Sequence, residues 1–142
     1  MWLLNYYICG MKIELTKTKD SYNLIRTWCK GHNFPVMKPN ILPESTFICY
    51  NDKDQPVYSM CFYNTDSDLC WIGFPLSNPE VSKGDKKGCF DYLFKGVEDY
   101  ARHLEYEVIF TTSNTKAVVS ALEGNGYQIG DEGVNQYIKN LR

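Results

Sequence analysis

Apolar and polar positions alternate through Met11-Lys12-Ile13-Glu14-Leu15, which predicts a strand with one face on a core. The period then lengthens. Leu24, Ile25 and Trp28 recur at helical spacing behind Asp20 or Ser21, either of which suits a helix N-cap, and Gly31 lies past the end. Residues 33–43 hold three prolines and predict a loop. Phe47–Tyr50 and Val57–Tyr63 read as strands around the hairpin-like turn Asn51-Asp52-Lys53-Asp54. A second turn, Asn64–Asp68, leads into a third, strongly apolar strand from Leu69 to Phe74. A polar loop, Pro75–Gly88, precedes the clearest helical stripe of the chain: Phe90, Leu93, Phe94, Val97, Ala101 and Leu104. Val108–Thr111 reads as a short buried strand. Asn114 suits the cap of a further helix bearing Ala117, Val118, Ala121 and Leu122, and Gly124-Asn125-Gly126 stops it. Tyr127–Ile129 and Gln136–Ile138 read as a closing pair of strands.

The order is β-α-β-β-β-α-β-α-β(β), with no internal repeat, low-complexity tract or linker. Antiparallel strands come first. A strand-helix-strand crossover follows, which makes its two strands parallel and is right-handed. The expected fold is α/β: a single mixed, mostly antiparallel sheet with helices on both faces. Residues 1–10 read as an N-terminal extension and 11–142 as the domain. The apolar start, Met1 to Cys9, lacks a basic leader and a small-residue cleavage site. It is also shorter than the ~20 residues of a membrane span.

The chain has 142 residues, enough for one domain that buries a core without metal or disulfide. Aromatics make up 15% of it, which argues against disorder. Fifteen basic against 17 acidic side chains give a net charge of −2, which argues against a nucleic-acid binder. The six cysteines include no C-x-x-C pair and sit mostly in apolar runs. They read as reduced, buried residues of a cytoplasmic protein.

Candidate chemistry concentrates in Ser82-Lys83-Gly84-Asp85-Lys86-Lys87-Gly88-Cys89. The loop follows a buried strand and opens a long helix. Free backbone N–H groups and the dipole at a helix start attract anions, glycines admit a phosphate closely, and lysines add charge. The segment reads either as a pyrophosphate cradle or as a solvated turn. It fits neither the Walker A nor the dinucleotide-binding spacing.

Four segments in order carry a resemblance: Trp71–Pro79, Lys83–Gly88 with the helix behind it, Tyr106–Asn114, and Leu122-Glu123-Gly124-Asn125-Gly126-Tyr127. Over about Met11 to Leu141 the chain resembles the GNAT superfamily of N-acetyltransferases, including divergent members from bacteriophages. The resemblance implies that the strand at Leu69–Phe74 and the strand at Val108 are a parallel, splayed pair. It also implies acetyl-CoA as cosubstrate. Backbone groups at Phe74 and Leu76 would meet the pantetheine arm, Lys83, Gly84, Lys86, Lys87 and Gly88 the pyrophosphate, and Asn114 the pantetheine region. The acceptor would be a small amine or a protein amine, bordered by the loops Gly31–Glu44 and Asn64–Asp68. Asp85 stands where the family has Gln or Arg, Phe90 where it has a small residue, and Leu122 where many members have a proton-donating Tyr.

Candidates for a general base are Glu80, Asp66 and Asp68; His32 and His103 are lone histidines without metal-ligand spacing. Cys89, at a helix start beside Lys87, is a candidate nucleophile or a packing residue. Two functions stand open. One is an acyl-CoA-dependent N-acyltransferase. The other is a noncatalytic module of the same fold that binds a protein partner or a second copy of itself, as a component of a phage particle.

Overall fold

The structure is a computed structural model that describes residues 3–4 and 10–142. The strands are β1 (Leu3–Leu4), β2 (Lys12–Lys17), β3 (Ser45–Tyr50), β4 (Pro56–Tyr63), β5 (Leu69–Ser77) and β6 (Val108–Phe110). The helices are α1 (Thr18–Gly31), α2 (Cys89–His103) and α3 (Lys116–Gly124), with short 3-10 turns at Pro39–Ile41 and Gly84–Lys86. The strands form one sheet in sequence order, antiparallel throughout except for the parallel pair β5/β6. This is the mixed sheet that the pattern predicts.

The two faces are covered by different helices. Ile13, Phe47, Met60, Phe62, Cys70 and Ile72 bury against Leu93, Phe94, Val97 and Ala101 of α2, with Ala121 and Leu122 of α3 at the margin. Ile25, Trp28 and Cys29 of α1 close over Leu76 on the other face. Burial of this kind contributes about 1.5–3 kcal/mol per large side chain. Phe62 and Tyr100 meet edge to face at 5.2 Å, as do Phe47 and Tyr100 at 5.3 Å.

Several boundaries differ from the sequence reading. Helix α1 starts at Thr18, directly after β2, so neither Asp20 nor Ser21 caps it. Thr18 is fixed there by its own N–H to the Glu44 carbonyl (2.8 Å) and its hydroxyl on Thr46 (2.7 Å). Asn114 does not cap α3, which begins at Lys116 with Thr115 in the cap position. Leu104 lies just past α2 and is exposed, because the helix ends at His103. Strand β5 runs through Pro75 to Ser77. The proline is tolerated because the register with β4 slips there: Ser59 faces Leu76 and Cys61 faces Gly73, which leaves Phe74 and Pro75 opposite Met60.

The closing strand pair is absent. Gln128 to Arg142 form no strand, and every one of these residues is exposed. Of the N-terminal extension, Leu3–Leu4 pairs with β2. The rest of it, Cys9 included, lies outside the described residues.

Candidate functional site

The parallel pair is short. Its ladder runs Leu69↔Val108, Cys70↔Ile109, Trp71↔Phe110 and stops. The Thr111 hydroxyl donates to the Ile72 carbonyl at 2.8 Å, and beyond it the chain turns away toward α3. From Gly73 to Ser77, β5 therefore has no strand on that side among the described residues. Within this stretch Phe74 has φ +51, a left-handed conformation that is uncommon for an aromatic residue. Its ring is exposed, 6.5 Å from that of Tyr63, while Leu76 is buried under α1. Of the two, Phe74 and Leu76, only Phe74 presents its side chain outward.

The lysine loop follows the end of this stretch. Ser77 pairs with Tyr58, and Tyr58 walls a cavity of about 300 Å³ with Lys83, Lys86, Lys87, Gly88, Phe90, Asp91 and Ala121. Gly88 holds the cap position of α2 at φ +77, a conformation costly for a side-chain-bearing residue. A Cβ there would meet nothing within 4 Å, so the space above the helix start is open. Phe90 does not plug it. The ring stacks on Tyr58 at 4.8 Å and against Phe94 at 4.9 Å, and so forms part of the wall.

Both carboxylates near the cavity are engaged elsewhere. Lys53 Nζ donates to Asp85 at 2.9 Å, which holds the Asp85 carboxyl below its ordinary value. Asn125 Nδ2 donates to Asp91 at 3.1 Å. No ion pair engages Lys83, Lys86 or Lys87 among the described residues. Partial burial pulls Lys86 below the usual lysine range. The cavity is thus cationic at a helix N-terminus, an arrangement that suits an anionic ligand.

Asn51 is the residue that the sequence reading missed. It is 2% exposed, and its side chain makes four hydrogen bonds. Its Oδ1 accepts from the N–H groups of Lys53 and Gln55 at 3.0 Å each, and its Nδ2 donates to Gln55 Oε1 at 2.9 Å and to the Asp85 carbonyl at 3.1 Å. The β3–β4 turn thereby fixes the lysine loop. Turn composition marked Asn51 as a turn residue, but nothing local in sequence pointed to its partner.

The remaining candidates lie apart from this cavity. Asn114 is exposed in the β6–α3 connection. Asp66 and Asp68 are exposed at the opposite end of β5, Asp68 roughly 13 Å along the strand from Ile72. Glu80 is exposed, its N–H on Asn78 Oδ1 at 3.0 Å. His103 is exposed on α2. His32 Nε2 lies 2.8 Å from the Ser77 carbonyl, and its ring stacks on Phe34. Cys89 is buried at 1% exposure against Met11 Sδ. A hydrogen bond from the Cys49 thiol holds Cys89 below its ordinary value and raises Cys49. That places Cys89 in the core, out of reach of a substrate. No group of residues among those described is arranged to hold a metal ion.

The loop 32–44 runs along the α1 face from His32 to Ser45, which pairs with Phe62 beside the 64–68 turn. The end of the first segment and the start of the second are thus neighbours across the β3/β4 pair. On the same face, Trp71 lies 4.6 Å from Phe110, and a Cβ at Gly73 would sit between Trp71 Nε1 and Tyr63 Cε2.

No family model matches the sequence, and no curated protein matches it. Solved structures do. An aminoglycoside acetyltransferase from an uncultured soil metagenomic sample, in complex with sisomicin, superposes with a TM-score of 0.70 at 12% identity, covering 92% of this chain and 97% of that one. A probable acetyltransferase gives 0.67 at 10% identity over 92% and 98%. A putative acetyl transferase from Pyrococcus furiosus gives 0.56 at 14% identity over 89% and 99%.

Proposed function

We propose that this chain, which has the fold of the GNAT acetyltransferases, is an acyl-CoA-dependent N-acyltransferase that moves an acetyl group from acetyl-CoA to an amine. One observation carries the reading: the cavity at the start of α2 is lined by Lys83, Lys86 and Lys87, none of them in an ion pair among the described residues, in a fold where β5 parts from β6 beyond Trp71.

The residues fit the cosubstrate's chemistry. Lys83, Lys86 and Lys87, with the N–H groups around Gly84 and Gly88, would hold a pyrophosphate. Backbone groups of Phe74 and Leu76 would align an extended amide-bearing arm as a strand aligns its neighbour. Asn114, exposed in the β6–α3 connection, would meet the pantetheine region. When bound, acetyl-CoA would supply a thioester whose carbonyl carbon bonds to the neutral acceptor nitrogen as the C–S bond breaks; the nitrogen gives a proton to solvent and the departing CoA thiolate takes one from it, leaving an amide and the free thiol. The chain's part is chiefly positioning, which is worth several kcal/mol when two reactants are held in line.

The acceptor would enter from the α1 face, between the loop 32–44 and the 64–68 turn. Phe34, Ile41 and Phe74 are exposed there. An amine on a small organic molecule fits this reading, in keeping with the aminoglycoside named for one similar structure. The assay is thiol release from acetyl-CoA against a panel of aminoglycosides, polyamines and lysine peptides. Release with one amine and not with the others is expected. No release with any of them would contradict the reading.

One observation favours a noncatalytic module of the same fold instead. Leu122, where many family members carry a Tyr, packs half-buried on the core and has no proton to give. Cosubstrate binding without turnover would support that second reading.

A further inference from the structure

Gly73 is a glycine that the backbone does not require. Its φ lies outside the left-handed region, and a Cβ built on it would meet nothing closer than 3.4 Å. The residue beside it, Phe74, takes φ +51 instead. Backbone strain alone favours the reverse order, with glycine at the left-handed position and the aromatic at the ordinary one. A glycine inside a strand weakens it, and one that relieves neither strain nor crowding marks a place where a ligand comes close to the backbone.

The surroundings of Gly73 are aromatic. The absent Cβ would touch Trp71 at Nε1 and Cδ1, 3.4 and 3.7 Å away, and Tyr63 at Cε2, 3.8 Å away. Ring to ring, Phe110 lies 4.6 Å from Trp71 and Phe74 lies 6.5 Å from Tyr63. Cross-strand pairing sets Tyr63 and Phe110 on either side of Trp71, and Cys61 beside Gly73, all on one face of the sheet. None of these residues is charged. Helix α1 packs on Leu76 of the same strand and leaves Phe74 and Phe110 exposed. The result is a seat of bare backbone with aromatic walls, open to solvent. It lies where β5 and β6 part, one residue beyond the bond from the Thr111 hydroxyl to the Ile72 carbonyl.

The walls select against a cation. The atoms nearest the seat lie at ring edges, which carry the positive part of the aromatic quadrupole. The indole Nε1 is a hydrogen-bond donor and never an acceptor. Such edges attract the electron-rich face of a flat ring and repel an ammonium.

We propose that Gly73 sets the acceptor preference: the acceptor amine is carried on a flat, uncharged ring, which lies over Gly73 against the edges of Trp71 and Tyr63. This rests on the acetyl-transfer reading. A short spacer between ring and nitrogen then brings the amine to the parting of β5 and β6.

The test is the thiol-release assay with phenethylamine and hexylamine, two apolar monoamines of which only the first carries a flat ring. The expected result is a kcat/KM for phenethylamine about 2–10-fold above that for hexylamine, the size of one aromatic pair. That ratio should fall to parity in Gly73→Ala, whose methyl fits at contact distance, and in Gly73→Val. Seating is read apart from turnover, by the shift of the Trp71 indole N–H resonance on addition of phenethylamine, which Gly73→Val should abolish. Release with no preference for the ring, or a preference that survives both variants, would overturn the proposal and leave acetyl transfer standing. No release from any amine, with a Trp71 shift that Gly73→Val abolishes, would support the seat and overturn acetyl transfer. Neither release nor shift would overturn both.

Discussion

Asn51 Nδ2 donates to the Asp85 carbonyl at 3.1 Å, across 34 residues of chain. Through that bond a buried turn residue sets the position of the loop that carries Lys83, Lys86 and Lys87. The cavity is therefore assembled by a tertiary contact, and the lysines alone do not define it.

Asn51→Ala removes four hydrogen bonds at a buried position and leaves their partners unsatisfied. The expected loss is about 2–4 kcal/mol, read by urea unfolding. Asn51→Asp keeps the acceptor for the Lys53 and Gln55 N–H groups and loses both donors, so it should fall between. Acetyl-CoA affinity should drop in the same order.

Lys53 neutralises Asp85 from a neighbouring turn. Lys53→Ala leaves an unpaired carboxylate beside the cavity, and acetyl-CoA affinity is expected to fall about 2–5-fold, as for a modest exposed charge effect. Adding Asp85→Asn should restore it. An affinity that stays low in the double mutant would mean that Lys53 touches the ligand itself.

Gly88→Ala tests the helix start by conformation alone. The added methyl meets nothing within 4 Å, but φ is +77. A cost of about 1–2 kcal/mol is expected in thermal or urea melts. Gly88→Asn should cost less, since Asn tolerates this region.

Alkaline pH should loosen the core. Burial pushes Cys61 and Cys70 from 9.0 up to about 11, and Tyr63 from 10.0 up to about 12. Each binds its proton more tightly in the folded chain. The stability they carry is complete below pH 9 and is lost as pH rises through 11 to 12. The melting temperature should be flat to pH 9 and fall above it, and Cys61→Ser with Cys70→Ser should flatten the fall.

Much of the fold was legible in the sequence because periodicity is local. The α2 stripe and the apolar β4 and β5 strands could be read residue by residue. The antiparallel pairs and the one parallel pair follow from short turns and one crossover. Helix starts were misplaced where tertiary bonds override capping, as at Thr18 with Glu44. The bulge at Phe74-Pro75 was read as a strand end because a proline in an edge strand looks like a stop. The lysine loop was visible as composition. The pairing of Asp85 with Lys53, the folding of Phe90 against Tyr58 and the anchoring by Asn51 are contacts between distant segments, and no local pattern encodes them. The closing strands expected at Tyr127–Ile129 and Gln136–Ile138 pair with no strand among the described residues.

The central claim is that the cavity at the start of α2 holds the phosphates of acetyl-CoA. Calorimetric titration of acetyl-CoA into the full chain at low and moderate salt, with Lys86→Ala/Lys87→Ala alongside, tests it most directly. The account predicts binding that weakens as salt rises, a melting temperature raised by the ligand, and at least a tenfold loss of affinity in the double mutant, about 1.4 kcal/mol. No heat and no melting shift at millimolar acetyl-CoA, or an affinity unchanged in the double mutant, would contradict it.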